Sequence, residues 1–468
     1  MADVLRLDGS PTKRFFVEML PRDIELDDAI LDLVDNSVDG AMRRARRERT
    51  PDEERYKGMW CRLEIDATRF CISDNCGGIP EKYFEGAFHL GRPSVDLDDD
   101  IPTIGVYGIG MKRAIFKIGR NGNVETRHPG FRRRVSYPRG WFDKKDWELE
   151  VSEINPDSEP DGVKIIVDDL LPDVADQFKK EAALNNLRSK LGLHFAYIME
   201  LGFCITVNGV DVVPQSVLLK NATTGGIVPF AFSANVNRVE VTVSVGVFRR
   251  LAKESEIQDE TEIDGPRSLL EEKQTQKSGI TVICNDRVVL VNDTTDLTGW
   301  GVGGVPKYHP QFRAIGGQIS FKSDDASLLP ISTTKRDLDT HTALYNMARN
   351  ETMTGLKAFI SLTNKWKRQE EKLNEQIDNA PAVDARSVVA ALITRKEATN
   401  VRNLPGAKRF VPELPKPQGK SDSVWVRFER PQSEARRLGA ELLEDPGAKP
   451  SEIGEAVWRD ALRRYDSE

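Results

Sequence analysis

The sequence lacks the patterns that mark a zinc-binding, secreted or membrane-spanning protein. Its five cysteines have no zinc-ligand spacing, because Cys71 and Cys76 are not followed by a second pair, and we predict reduced thiols. No apolar run approaches membrane-spanning length, and the first residues, MADVLRLDGSPTKRFF, contain no apolar core of a signal peptide. We therefore expect a cytoplasmic protein with no membrane partner.

The sequence also lacks an excess of positive charge. Lysine and arginine number 67 against 74 aspartate and glutamate residues, which gives a net charge of −7. This balance argues against a protein that binds nucleic acid over its whole surface. Basic stretches at 43–49 and 407–420 leave a local DNA contact open, although a solvated helix end explains the first of them more simply.

Length and composition predict a globular protein of two or three domains. The chain has 468 residues, of which 39% are apolar and 30% are charged, as expected for a protein with a buried core. We divide it into residues 1–168, 169–375 and 376–468, and we expect an α+β fold. The last segment is a small mixed C-terminal region to which the sequence assigns no role.

Local patterns predict the order of the elements. Apolar residues at helical spacing predict a helix over 23–47, with Asp23 as its N-cap. The other predictions before residue 376 are two strands joined by a turn at 61–73, a loop at 91–104, a helix at 111–118, a closing strand for the first domain at 162–170, a helix at 175–200, a strand with an Asn-Gly turn at 203–210, a strand at 239–248, a hairpin at 279–291 and a long helix at 343–375. In the tail we predict helices at 385–398, 433–444 and 451–465, a linker at 404–420 and a strand at 423–430.

The first of three informative segments is LDLVDNSVDGA at residues 31–41. Asp28, Asp32 and Asn36 recur at every fourth position, so they share one face of the predicted helix. An asparagine oxygen can bind Mg²⁺, and a carboxylate one turn earlier can orient and deprotonate a water. Taken alone, the pattern is explained more simply by an acidic face in solvent.

The second segment is ISDNCGGIP at residues 72–80. Asp74 ends a predicted strand and is followed by Gly77 and Gly78. A carboxylate there can accept a hydrogen bond from an exocyclic amine such as that of adenine, and the glycines let the backbone approach a flat ring. An ordinary turn explains the segment more simply when it is considered alone.

The third segment is GVYGIGMK at residues 105–112. Gly105, Gly108 and Gly110 precede a helix, and backbone N–H groups at a helix N-terminus bind phosphate. Lys112 adds a positive charge for the phosphates. The spacing matches neither the P-loop nor a dinucleotide fingerprint.

In this order the three segments resemble the Bergerat ATP-binding fold of the GHKL superfamily, which includes gyrase B, heat-shock chaperones, histidine kinases and MutL. The resemblance implies an α/β sandwich over residues 1–168, with a mixed sheet and helices on one face. It places Asn36 at the Mg²⁺ ligand, Asp74 at the aspartate that binds adenine, and Gly108 and Gly110 in the lid over the triphosphate. GVYGIGMK is especially similar to the lid of MORC ATPases and heat-shock chaperones.

The resemblance extends to a second domain. LLPISTTKRDLD at residues 328–339 resembles the MORC segment that carries a lysine for the γ-phosphate, which implies that residues 169–375 are an α+β transducer domain. Lys335 is then the candidate γ-phosphate sensor, because a fixed cation there would stabilise developing charge.

The sequence departs from the family pattern at three positions. The catalytic glutamate is Asp32 here, one methylene shorter, which implies slow turnover or none. Cys76 replaces the first glycine of the D-x-G-x-G turn. Gly162 is followed by Val163 where the family usually has a Gly-Thr pair, so a hydroxyl contact to adenine is missing.

The resemblance implies a Mg²⁺- and ATP-dependent ATPase that works as a homodimeric switch or clamp. A nucleotide-gated scaffold with negligible turnover is the main alternative, and a chaperone-like ATPase stays open. A histidine kinase fits poorly, because those proteins lack the lysine-bearing domain. DNA and an unidentified protein are both open as clients.

Overall fold

The computed structural model of the chain describes residues 13, 15–19, 21–51, 54–89, 110–144, 146–155, 158–222, 226–252, 278–331, 338–402, 404–417 and 429–465. By its internal contacts the chain forms two compact units, residues 1–416 and residues 417–468. The first unit contains both large sheets.

The first sheet carries the candidate site. Its strands are β1 (Trp60–Ile65), β2 (Arg69–Asp74), β3 (Gly119–His128), β4 (Phe131–Tyr137), β5 (Glu150–Glu153), β6 (Gly162–Leu170), β7 (Cys204–Val207) and β8 (Val210–Asp211). They lie in the order β5-β4-β3-β6-β2-β1-β7-β8. Neighbouring strands are antiparallel except for β1 and β7, which are parallel, so the sheet is mixed.

Six α-helices accompany this sheet in the described residues. They are α1 (Leu26–Glu48), α2 (Glu81–Phe88), α3 (Gly110–Ile118), α4 (Pro172–Phe178), α5 (Glu181–His194) and α6 (Ala196–Glu200). Ile30 and Val34 of α1 share one buried cluster with Leu63, Ile72 and Val167 of the strands. Burial of this apolar face is what holds α1 on the sheet.

Helix α1 forms where the apolar spacing predicts a helix, but it begins later than expected. It starts at Leu26 after Glu25, whose side chain makes no cap bond, so the prediction of Asp23 as N-cap is wrong. The helix ends because Arg49 is left-handed, with φ of 52°, and its N–H reaches the carbonyls of Ala45 and Arg46.

Two of the predicted hairpins are confirmed, and both have local causes. β1 and β2 pair across the predicted turn. Asn208 and Gly209 join β7 to β8 with φ of 52° and 74°, the combination that a tight Asn-Gly turn requires. The predicted helix at 175–200 is divided into α4, α5 and α6, because Lys180 is extended between the first two.

The second sheet has seven strands. The strands after β8 are β9 (Leu218–Lys220), β10 (Phe230–Val236), β11 (Val239–Val247), β12 (Gly279–Cys284), β13 (Arg287–Asp293), β14 (Ile315–Lys322), β15 (Ala382–Asp384), β16 (Thr399–Asn400) and β17 (Lys408–Phe410). The sheet order is β13-β12-β14-β11-β10-β17-β16, while β9 and β15 form a separate pair. The predicted hairpin at 279–291 is confirmed as β12 and β13.

The long helix predicted at 343–375 is two helices, α7 (Ala343–Lys365) and α8 (Glu370–Asn379). They are separated by a turn in which Arg368 has a positive φ of 70°. Leu356 and Phe359 of α7 lie in one buried cluster with Val243 and Val245 of β11. Helix and sheet therefore share the core of this part of the chain.

The segments after residue 375 include three short strands that the sequence did not predict, namely β15, β16 and β17. The linker predicted at 404–420 contains β17, which pairs with β10, and Arg409 of β17 forms an ion pair with Glu351. The predicted tail helices are confirmed as α9 (Ala385–Leu392), α10 (Gln432–Leu443) and α11 (Pro450–Tyr465). Residues 423–428 of the predicted strand lie outside the described residues.

The fold class is confirmed as α+β, but the sheets do not follow the predicted domain boundaries. β7 and β8 extend the first sheet to Asp211, beyond residue 168, because β7 pairs in parallel with β1. β15 to β17 belong to the first compact unit, although they come after residue 375. The division into three functional domains stays a prediction. Among the described helices, none has the length and apolar character that crossing a membrane demands.

Candidate functional site

Asp74 is a buried carboxylate of the candidate site. It is the last residue of β2 and is 7% exposed. Its Oδ2 accepts a hydrogen bond from Ser37 Oγ at 2.8 Å, and its Oδ1 accepts from the backbone N–H groups of Cys76 at 2.9 Å and Val163 at 3.2 Å. Three donors from three different segments thus fix the orientation of this carboxylate.

The electrostatics of Asp74 balance two opposing effects. Burial raises the pKa of its carboxyl group, and the hydrogen bonds from Cys76, Ser37 and Val163 oppose that rise. A carboxylate whose orientation is fixed in this way is a strong acceptor for an N–H donor from a ligand.

Glycines allow the backbone to pack closely around Asp74. A Cβ on Gly162 would lie 1.9 Å from the Asp74 carbonyl oxygen. A Cβ on Gly78, whose φ is 67°, would lie 2.2 Å from the Arg127 carbonyl oxygen. Larger side chains at these two positions are therefore excluded by contact with backbone atoms.

Cys76, which stands where the resemblance implies a glycine, is accommodated without a strained residue. The left-handed conformations of the turn are at Gly77 and Gly78, with φ of 95° and 67°, and not at Cys76. The Cys76 side chain is 4% exposed and packs against Gly40 of α1, where a Cβ would lie 2.9 Å from the Cys76 Cβ.

The thiols near this turn are unreactive by their surroundings. Burial raises the pKa of the Cys61 and Cys76 thiols, so they stay protonated near neutral pH. All five cysteines are free thiols, as the sequence predicts.

Helix α1 presents Asp32 and Asn36 in contrasting environments. Asn36 is exposed, whereas Asp32 is 5% exposed. Asp32 Oδ2 accepts a hydrogen bond from Arg113 Nη2 at 2.8 Å. A Cβ on Gly110 would lie 3.5 Å from the same oxygen, so the first turn of α3 covers Asp32.

These contacts define two ends of a site along α1. α3 contacts the helix at Asp32, and Asp74 contacts it at Ser37, about 7.5 Å further along at 1.5 Å per residue. Asn36 lies between the two ends and is open to solvent. Gly110 of the predicted phosphate loop, the predicted Mg²⁺ ligand Asn36 and the predicted adenine residue Asp74 therefore lie at successive positions along α1.

Lys112, predicted to contact the phosphates, is engaged by backbone carbonyl groups in the structure. Its side chain is buried, and Nζ donates hydrogen bonds to the carbonyl oxygens of Ala87 at 2.8 Å and His89 at 2.5 Å. Burial lowers the pKa of this lysine to about 8. These hydrogen bonds connect α3 to the end of α2. They give the predicted phosphate contact no support.

A buried ion pair joins the candidate site to the second sheet. Asp35, directly before Asn36, lies with its Oδ1 2.6 Å from Arg287 Nε. Arg287 begins β13, and its guanidinium also lies over the ring of Phe195 with a centroid distance of 5.2 Å. The hairpin of β12 and β13 thus contacts α1 beside the candidate Mg²⁺ ligand.

Three predicted residues cannot be placed. Gly105, Gly108 and Lys335 lie outside the described residues. Within the described ranges, no cluster of three histidine, cysteine, aspartate or glutamate side chains is arranged to hold a metal ion. Asn36 as a Mg²⁺ ligand stays a prediction, and its amide chemistry and exposure suit an ion that takes its other ligands from a nucleotide and water.

Sequence reasoning missed Ser37, Arg113 and Arg287. Ser37 could have been found, because Ser37, Gly40 and Ala41 form a face of small residues that permits close approach to α1. Arg113 follows Lys112 directly, and the sequence alone did not show which of the two cations faces α1. Arg287 has no local signal, since it reaches α1 only through the packing of two sheets.

Comparison with known protein families is consistent with this geometry. Residues 24–161 match the family described as Histidine kinase-, DNA gyrase B-, and HSP90-like ATPase. No match to a curated protein was found. The matched range contains Asp32, Asn36, Asp74 and Gly110, and ends beside Gly162. It supports a GHKL-type ATPase domain, and with it ATP binding, in this part of the chain.

Proposed function

We propose that the chain binds Mg-ATP along α1, hydrolyses it slowly and uses it to switch a homodimer. The observation that carries the proposal is the arrangement of Asp74. Its carboxylate is held by Ser37 from the helix that bears Asn36 and by the N–H of Val163. An acceptor buried in this way suits the exocyclic amine of adenine, because that amine can only donate.

Asn36 is the residue proposed to hold Mg²⁺. Its side chain belongs to an exposed residue, next to the one that contacts Asp74. Bound Mg²⁺ would neutralise phosphate charge. The role of Asn36 is to position the triphosphate between the two ends of the site.

Asp32 is the proposed general base. In hydrolysis a water oxygen bonds to the γ-phosphorus as the bond to the ADP oxygen breaks, and Asp32 accepts the proton that the water loses. Its short side chain and its burial beneath Gly110 support slow turnover. Lys335 is proposed to bind the γ-phosphate and to couple it to the second domain and to dimer closure.

Nucleotide titration calorimetry tests the proposal. We expect the unaltered chain to bind ATP in Mg²⁺ buffer and to bind GTP at least about tenfold more weakly, because the site is built for an amine donor. Asp74→Asn should lose this preference, since an amide places an N–H where the acceptor was. Asp173→Asn, an exposed change of the same charge, is the control. Equal binding of ATP and GTP would contradict the placement of adenine at Asp74.

A nucleotide-gated scaffold is the second candidate function. It is favoured by the ion pair that already engages Asp32. Steady-state ATP turnover beside the Asp32→Asn variant separates the two functions. Turnover that disappears in the variant supports an ATPase, whereas bound ATP without turnover supports the scaffold. In the first case Lys335→Ala should spare binding but reduce turnover and dimer closure.

The client and the cellular location of such a switch are expectations from the sequence. Two of the arginines that could contact DNA in residues 43–49 already form ion pairs within the chain. Arg44 pairs with Glu48 and Arg46 pairs with Asp324, each at 2.9 Å. A cytoplasmic location and a protein client stay predictions.

A further inference from the structure

Arg113 and Asp32 form an ion pair at the start of α3 that the motif comparison does not account for. Arg113 Nη2 lies 2.8 Å from Asp32 Oδ2, and the two side chains are 25% and 6% exposed. Charges this sheltered from solvent are screened little. The proposed base is therefore held by a neighbouring cation.

The surroundings of the pair restrict Asp32 further. Gly110 lies over the same oxygen, with its hypothetical Cβ 3.5 Å away. Lys112, between Gly110 and Arg113, fixes the first turn of α3 to the end of α2 through two carbonyl oxygens. The arginine is thus presented to Asp32 by a helix turn that is itself anchored.

From these contacts we infer that Arg113 is a restraining residue, which keeps Asp32 turned towards α3 and limits ATP turnover. A general base needs an oxygen lone pair directed at the attacking water. The guanidinium of Arg113 donates a hydrogen bond to Asp32 Oδ2, and the first turn of α3 covers the same oxygen. The ion pair must therefore open before Oδ2 can accept a proton from water. The inference rests on the proposed function of Asp32.

Removing the guanidinium should therefore raise the turnover number. For Arg113→Gln we expect kcat to increase about fivefold, which corresponds to about 1 kcal/mol of activation free energy. The dissociation constant for ATP should stay within about twofold, because Arg113 contacts the base and not the adenine end of the site. Arg113→Lys keeps the charge without the planar fork, so an intermediate increase is expected.

Two further variants separate restraint from a structural role. Lys117→Gln, which removes a positive charge from the last turn of the same helix, should leave kcat unchanged. Arg113→Gln in an Asp32→Asn background should give no increase over Asp32→Asn alone, since there is no base to release. A purely structural tether would instead lower the melting temperature and leave kcat unchanged or reduced.

The outcomes distinguish this inference from the function on which it rests. Failure of the unaltered chain to bind ATP would overturn both. Turnover in the unaltered chain with an unchanged or lower kcat in Arg113→Gln would overturn the restraint alone, whereas ATP binding without turnover in either protein would overturn both the restraint and the proposed hydrolysis. An increase that survives in the Asp32→Asn background would also overturn it. An increase that depends on Asp32 supports it.

Discussion

Asp35 and Arg287 form an ion pair whose side chains are 0% and 2% exposed, with 2.6 Å between Oδ1 and Nε. One belongs to α1 and the other to β13, so the pair joins the helix of the candidate site to the second sheet. Because Asp35 directly precedes Asn36, the position of the proposed Mg²⁺ ligand depends on the packing of both sheets.

Removing one partner of this pair should be costly. Asp35→Asn leaves the Arg287 guanidinium buried without its counter-charge, and we expect a loss of about 3–5 kcal/mol in the free energy of unfolding. Replacing both residues by apolar ones, Asp35→Leu with Arg287→Met, should recover most of this loss. Equilibrium denaturation measures both changes.

The surface offers a matched control for that experiment. Arg46 of α1 forms an ion pair with Asp324, which follows β14 of the second sheet, but the two side chains are 38% and 88% exposed. Asp324→Asn should cost less than about 1 kcal/mol. Equal costs at the two sites would show that burial of the Asp35 pair has no energetic consequence.

Asn36→Ala should weaken the binding of ATP with Mg²⁺ and leave the free energy of unfolding almost unchanged. The residue is exposed, so the free energy of unfolding should change by less than about 0.5 kcal/mol. The affinity for ATP in Mg²⁺ buffer should fall at least about tenfold, a loss of roughly 1.4 kcal/mol in binding free energy. Calorimetry with and without EDTA checks this, because the variant and the unaltered chain should agree once Mg²⁺ is removed. Asn364→Ala, exposed on α7, is the control, and unchanged Mg-ATP affinity in Asn36→Ala would show that the site is misplaced.

Gly162→Ala should disrupt the turn around Asp74. The added Cβ would lie 1.9 Å from the Asp74 carbonyl oxygen, which belongs to the backbone and cannot rotate away. We expect a loss of more than about 2 kcal/mol in the free energy of unfolding, together with weaker ATP binding. Gly140→Ala, where a Cβ meets nothing within 4 Å, should be neutral in thermal melts. Comparable melts for the two variants would contradict the close approach.

ATP affinity should decline on acidification before an ordinary aspartate titrates. Burial raises the pKa of Asp74 above 3.8, so its carboxylate becomes protonated as the pH falls through that raised value. Protonation removes the charge that strengthens the hydrogen bond to adenine. Titrations from neutral to acid pH should show the decline in the unaltered chain and lack it in Asp74→Asn. A decline of the same size in that variant would assign the titration to another group.

Lys112 should make the free energy of unfolding depend on pH in the alkaline range. Burial lowers the pKa of its ammonium from 10.5 to about 8. Between these values the unfolded chain binds more protons than the native one, so the free energy of unfolding should gain a contribution that rises with pH. Lys112→Met should remove this contribution, and Lys117→Met on the same helix should retain it in denaturation curves from pH 7 to 10 (a range set roughly by the two pKa values).

The same Lys112→Met variant examines the predicted phosphate contact. Because Nζ binds the carbonyl oxygens of Ala87 and His89, we expect ATP affinity to stay within about threefold of the unaltered chain. A much larger loss of affinity, with the fold intact, would restore Lys112 to the phosphates.

Local patterns were sufficient to predict α1, the β1–β2 hairpin and the Asn208–Gly209 turn. Each depends on side chains or backbone angles within a few residues of one another. The parallel pairing of β7 with β1 and the pairing of β17 with β10 were not predicted, since the partners are far apart in the chain and have no shared local signal.

In the candidate site, too, features with a local signal were predicted and contacts between distant residues were not. The sequence spacing placed Asp32 and Asn36 on one helix and Asp74 at the end of a strand, as the structure has them. It could not show that Arg113 rather than Lys112 faces Asp32, because the first turn of α3 determines which side chain points to α1. Nor could it show Arg287 beside Asp35, which requires the two sheets to be packed together.

The pairing of β17 with β10 has a practical consequence for shortened forms of the chain. Ending the chain at residue 375 would remove β16 and β17 and leave β10 paired on one side only. The strand FAFSANV would then offer a row of unpaired N–H and carbonyl groups beside apolar side chains, which is a template for joining another molecule edge to edge. Self-association of such a truncated protein would therefore arise from a bared sheet edge, and it should not be mistaken for dimerisation driven by ATP.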